Sequence, residues 1–204
     1  MPNPKRHIVD NNDTAGQVSD GVNWGTCRYE LLNGIALGTA YDQRTGRSAH
    51  MAKLSGRFNL YYDETDPATP APAMVTVMIV HDKIPGSSVP TDSELLQASG
   101  NNSQFLSFLN PDHMHRFTVL KRWTIGTGPT QGVKFPIGDL YNEFSLNLDY
   151  TTFYSGQGAT VNDIQSGALW LVVTARRTDS TSTSTGLNEL PLLAHNIRLE
   201  YDDL

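Results

Sequence analysis

Cysteine is almost missing from this chain of 204 residues: Cys27 is the only one. A lone thiol cannot close an internal disulfide, and metal sites built on paired cysteines are excluded with it. Long apolar runs are missing too. No eighteen consecutive apolar residues occur, so no spanning helix of the ordinary kind is encoded. Residues 1–20 show no basic cluster followed by an apolar core, so no secretory signal is read there. The expectation is a soluble chain, neither exported nor held in a membrane. Positive charge is scarce, with 15 Lys and Arg against 21 Asp and Glu and a formal net charge of −6. A surface that attracts nucleic acid over its whole extent is thereby excluded, and any polyanion contact has to be local. No P-loop, Rossmann fingerprint or nucleophile elbow appears either.

What the chain has in quantity is punctuation. Its 17 Gly and 11 Pro, with many Asn, Asp, Ser and Thr, cut it into short apolar pieces, the pattern of an all-β domain. Residues 28–37 (RYELLNGIAL) read as a first strand, bent at Asn33-Gly34. Residues 51–62 alternate cleanly: Ala52, Leu54, Gly56, Phe58, Leu60 and Tyr62 fall on one face, and Lys53, Ser55, Arg57 and Asn59 on the other. Residues 74–81 (MVTVMIVH) and 168–175 (ALWLVVTA) are apolar on both faces and predict central strands covered on both sides. Residues 116–125 alternate with Phe117, Val119, Trp123 and Ile125 on one face, broken by Lys121; 144–154 supply one long or two short strands, and 190–201 a closing strand. Thr91 and Glu94 form a capping-box pattern that opens a short helix through Gln97. Residues 63–72, with three prolines, and the Ser/Thr run 178–186 read as loops. The fold expected is an eight-stranded antiparallel jelly roll, two four-stranded sheets with one short helix, over residues 25–204, preceded by a partly extended N-terminal extension, 1–24.

Chemistry is sparse. His113 and His115 would lie on the same side of an extended chain, a spacing used by cupin metal sites, but the glutamate such sites carry a few residues later is absent. Cys27 has no His near it in sequence and reads as a buried structural thiol. Asp63, Glu64 and Asp66 lie in a proline-rich loop and read as solvated. Nothing here demands an enzyme, and no cofactor is required.

Several segments, taken in order, carry a resemblance. They are Leu32-Asn33-Gly34-Ile35 followed by Asp42-Gln43-Arg44-Thr45-Gly46, then 77–85 (VMIVHDKIP), then 90–96 (PTDSELL), then 116–121 (RFTVLK). Together they resemble the jelly-roll coat proteins of very small icosahedral viruses, both satellite-necrosis-type RNA viruses and single-stranded DNA viruses with circular genomes. The resemblance implies a capsid protein that self-assembles, as sixty copies in a T=1 shell, around a short genome in the virion, assembled in the nucleus or cytoplasm of a host. Contacts between copies would fall on the loops at 63–72, 85–90, 126–132 and 178–186. Coats of this kind usually begin with an arm rich in Arg and Lys, whereas residues 1–20 hold only Lys5 and Arg6 against Asp10, Asp13 and Asp20. Nucleic acid would then be held weakly, through Lys53 and Arg57 on their strand and Lys121, Arg122 and Lys134. Ca²⁺ between copies is also implied, with Asp202, Asp203 and Glu200 meeting Thr45 or Ser48, although Arg47 stands where a carboxylate would help. The alternative from the same strands is a carbohydrate- or receptor-binding jelly roll that forms a trimer; Trp24, Trp123 and Trp170 are spread through the chain and read as core, not as a stacking platform.

Overall fold

Two runs of β-branched and apolar residues organise the chain, because neither can leave a face in water. They become the central strands of one sheet. The computed structural model describes residues 6–12, 26–61, 73–97, 108–127, 142–177 and 192–204. Among these, in chain order, are β1 (Arg6–Asn12), β2 (Arg28–Leu31), β3 (Ser48–Tyr61), β4 (Ala73–Asp82), α1 (Asp92–Leu95), β5 (Phe117–Thr127), β6 (Asn142–Tyr154), β7 (Ile164–Ser166), β8 (Ala168–Arg177) and β9 (Leu192–Asp203). The strands form a five-stranded sheet in the order β1-β9-β3-β6-β7 and a four-stranded sheet in the order β2-β8-β4-β5. Every pairing is antiparallel. Strands pair from the ends of the chain inward, first with last, which wraps the chain into a jelly roll.

The all-β jelly roll with one short helix is therefore the fold, with two differences in count and placement. There are nine strands among the described residues, not eight, because the three-residue β7 extends the first sheet to five. The sheet also takes its edge strand from within residues 1–24: β1 pairs with β9 from Arg6↔Asp202 to Asn12↔Asn196. Its inward residues are His7, Val9 and Asn11, and so weak an apolar alternation does not announce a strand. His7 is nonetheless buried and stacks on Tyr201 at 5.2 Å. The strand expected at 28–37 ends at Leu31, before Asn33-Gly34.

Burial is continuous from Val75 to Val80 of β4 and from Ala168 to Ala175 of β8, as strands covered on both faces require. Val75, Val77 and Ile79 face the five-stranded sheet, where Phe58 meets Trp123 edge-on at 5.1 Å. Leu95 and Leu96 belong to the same buried cluster. Alternation in β3 holds from Leu54 through Phe58 and Leu60, but Ala49 and Met51 are buried as well. A register shift between Met51 and Lys53 changes the parity at Ala52 and takes that residue off the core face. A second shift falls opposite Ile79 and Val80, which pair with Lys121 and Val119 and leave Leu120 extra. Phe117 and Val119 therefore point away from the face of Trp123 and Ile125, which corrects the single apolar face expected for this strand, while Lys121 stays on the Trp123 side. The capping box at α1 is present as expected: Glu94 N–H donates to the Thr91 hydroxyl and Thr91 N–H donates to the Glu94 carboxylate. The loops expected at 63–72 and 178–186, and most of 126–132, lie outside the described residues.

Candidate nucleic-acid and assembly surfaces

Strand alternation sends Lys53, Ser55 and Arg57 of β3 to the outer face of the five-stranded sheet, beside Asn196, Arg198 and Glu200 of β9 and Glu143 and Ser145 of β6. Arg57 stands opposite Glu143 and Asn196, Ser55 opposite Arg198, and Lys53 opposite Glu200. An open depression of about 580 Å³ runs between these strands, lined by Ser55, Arg57, Glu143, Ser145, Asn196 and Arg198. The face is of mixed sign and largely paired. Arg198 grips Asp10 with two bonds of 2.7 and 2.9 Å, and Arg6 reaches Glu200 at 3.3 Å. The Arg198 hydrogen bonds hold the Asp10 carboxyl below its ordinary range.

The five expected nucleic-acid contacts are not brought together. Lys53 and Arg57 share one face, whereas Lys121 and Arg122 lie on β5, the edge strand of the other sheet. Lys121 points to the side of Trp123, its ammonium 5.9 Å from that ring. Lys134 lies outside the described residues.

The carboxylates expected to hold calcium are engaged within the chain. Asp203 accepts the Thr45 N–H at 2.6 Å, the Thr45 hydroxyl and the Gly46 N–H at 3.4 Å. Burial works against its charge, but these donors outweigh it and keep its pKa below the usual carboxylate value. Asp202 stands opposite His50 and next to Arg6 at 3.7 Å, on the other side of the strand from Asp203. Among the described residues no group of three or more His, Cys, Asp or Glu is placed to hold a metal ion. The extended arrangement expected for His113 and His115 is corrected: Pro111–His113 is a 3-10 turn with Pro at its start and Asn110 as cap, and the two rings sit tilted at 6.4 Å. Cys27 is partly buried. Burial first, and the nearby Asp92 next, push its thiol up to about 12, which disfavours the thiolate at neutral pH.

The motif segments do structural work at one end of the sandwich. Arg44 is fully buried, and donates to the carbonyls of Ile35 at 2.9 Å, Gly46 at 2.5 Å and Gly156 at 2.5 Å while its guanidinium lies 4.1 Å from the Tyr154 ring. It thus rivets the β2–β3 connection to the one after β6. Asn33, also fully buried, donates to Thr152 and to the Gly167 carbonyl and accepts the Leu169 N–H. Gly34 beside it has to lack a side chain, since a Cβ would collide with the Ala159 carbonyl oxygen. Arg116 clasps the buried Asp82 through two bonds of 2.9 Å and reaches Glu94 at 2.8 Å, tying α1 to the junction of β4 and β5. Sequence reading picked out these segments without assigning these roles. The one local signal was an Arg and an Asn standing among turn residues beside apolar positions.

What these residues build, among those described, is a two-sheet sandwich braced at one end by buried hydrogen bonds. The family described as "Geminivirus coat protein/nuclear export factor BR1 family" matches residues 5–204. A curated relative, the capsid protein of Miscanthus streak virus (isolate 91), is 25% identical over 174 residues, covering 76% of this chain and 67% of that protein. A solved structure of Desmodium yellow mottle tymovirus aligns over 98% of this chain and 86% of its own at 11% identity, with a TM-score of 0.35. With a family match across nearly its whole length and a jelly-roll topology of its own, the chain belongs to the geminivirus coat protein and nuclear export factor BR1 family and is a viral coat protein.

Proposed function

We propose that this chain is the subunit of a T=1 icosahedral shell of sixty copies that encloses a short single-stranded DNA genome. The match of the coat-protein family to residues 5–204 carries the reading. The jelly roll supports it physically. A sandwich whose core is closed by burial between two sheets needs no cofactor, and it leaves loops and strand ends free to meet neighbouring copies. The role is structural, not catalytic, and its place is the virion.

Nucleic acid is held on the inner surface and weakly. Lys53 and Arg57 contribute from the five-stranded sheet and Lys121 and Arg122 from β5, with Lys134 as a further contact. Pairing on the first of these faces limits the phosphates they neutralise and predicts a shallow salt dependence. Size-exclusion chromatography with light scattering, with absorbance read at 260 and 280 nm across the peak, tests the reading. A megadalton peak with a nucleic-acid spectrum supports it. A stable trimer or monomer over a range of salt would replace it with a carbohydrate- or receptor-binding module.

A further inference from the structure

Asn33-Gly34 is the only Asn-Gly step in the sequence. Asparagine before glycine is the pair most prone to deamidation, because no side chain on the second residue keeps its backbone nitrogen away from the amide carbon of the first. Two separate constraints of this fold require the pair. Gly34 cannot give way to a bulkier, slower neighbour, since a Cβ there would lie 2.1 Å from the Ala159 carbonyl oxygen. Asn33 cannot be exchanged either, since both ends of its amide are used.

The Asn33 amide nitrogen donates to the Thr152 hydroxyl at 3.0 Å and to the Gly167 carbonyl at 2.8 Å, and the amide oxygen accepts the Leu169 N–H at 2.8 Å. Its backbone carbonyl accepts the Tyr154 hydroxyl at 2.9 Å. Asn33 itself is 0% exposed, and Thr152, Gly167, Leu169 and Tyr154 are buried around it. To react, the amide carbon has to swing onto the Gly34 nitrogen, which breaks three buried hydrogen bonds at once. Hydrolysis then needs water at a place the packing closes. An unfolded chain meets neither obstacle.

We propose that Asn33 is a deamidation site open only in the unfolded chain, and that a chain modified there no longer folds. In the reaction the Gly34 nitrogen bonds to the Asn33 amide carbon, the Gly34 N–H proton leaves with the amide nitrogen as ammonia, and a cyclic imide remains. Water opens the ring, its hydroxyl going to one of the two carbonyl carbons and its proton to the Gly34 nitrogen, which leaves aspartate or isoaspartate. Neither product fits. Aspartate sets a charged oxygen against the buried Gly167 carbonyl, which has no proton to give. Isoaspartate lengthens the backbone beside Leu32, whose N–H pairs with the Leu169 carbonyl at 2.8 Å. Folding thus protects the chain, and delay in folding removes it for good.

Peptide mapping by mass spectrometry reads the amide-to-acid change at position 33 in folded subunits and in chain held unfolded in urea, at one mildly alkaline pH and one temperature. Modification is expected to be at least ~100-fold faster in the unfolded chain, and equal rates would overturn the protection. The aged, partly modified chain is then returned to buffer and its soluble folded subunits are collected. Modified chain should be depleted at least ~10-fold in that fraction, and an unchanged proportion would overturn the exclusion. Asn33→Asp, made directly, tests the exclusion even where no chain refolds from urea. Loss of folded subunits or a clearly lowered Tm is expected, and melting within about 2 °C of the unchanged chain would overturn it. Asn147→Asp makes the same change on the exposed outer face of β6 and should leave Tm unaltered; an equal drop there would remove position 33 as the cause.

Discussion

Replacing Arg44 by Met should lower stability far more than its modest reach in sequence suggests. The side chain is fully buried, and each of its guanidinium nitrogens donates to a carbonyl, those of Ile35, Gly46 and Gly156. Methionine fills a similar length but leaves three carbonyls without that donor, at about 1 kcal/mol each when buried. Loss of the guanidinium over Tyr154 removes about 1 kcal/mol more. Against this, the variant no longer has to strip water from a charge, which returns part of the cost. A net loss of about 3 kcal/mol follows, or roughly 10 °C in Tm for a domain of this size. Arg44→Lys should recover less than about half of it, because one ammonium on a flexible stem cannot address three carbonyls. Thermal unfolding of unassembled subunits followed by circular dichroism reads the difference. An Arg44→Met protein melting within about 2 °C of the unchanged chain would refute the rivet.

Acid should destabilise the subunit. The Thr91 N–H above all holds Glu94 below its ordinary 4.5; burial opposes the charge of Asp203, but the Thr45 and Gly46 donors outweigh it and hold that carboxyl below 3.8. With folded values below unfolded ones, the unfolded chain takes up these protons first as pH falls. The stabilisation is thus complete at neutral pH and is lost as pH drops through the unfolded and then the folded values. Tm should fall between about pH 5 and pH 3, and a rise on acidification would contradict the account. Chelation with EDTA should leave subunit Tm unchanged, since Asp203 is already satisfied by Thr45 and Gly46; a clear drop would assign a bound cation. Charge reversal at Lys53 and Arg57 together should lower the 260/280 nm absorbance ratio of purified particles, and an unchanged ratio would remove these two from the nucleic-acid surface.

The central strands β4 and β8 were legible because burial on both faces writes a continuous apolar run. The helix was legible because a capping box is a local code. What escaped the sequence was set by tertiary contact. β1 owes its place to pairing with β9 and to His7 stacking on Tyr201, neither of which alternation can announce. The shifts at Ala52 and Leu120 each reverse which face the following residues occupy, so a period-2 reading is right on one side of the shift and inverted on the other. The candidate charges were found as residue types, but strand order separated Lys121 and Arg122 from Lys53 and Arg57. Asp203 looked like an oxygen ligand, and only the fold showed its oxygens turned to Thr45 and Gly46.

Native mass measurement of the particles formed by the purified chain tests the central claim most directly. Division by the subunit mass counts the copies. Sixty is the predicted answer, and a chain that remains a monomer or trimer under every salt condition would contradict the account of it as a self-assembling coat.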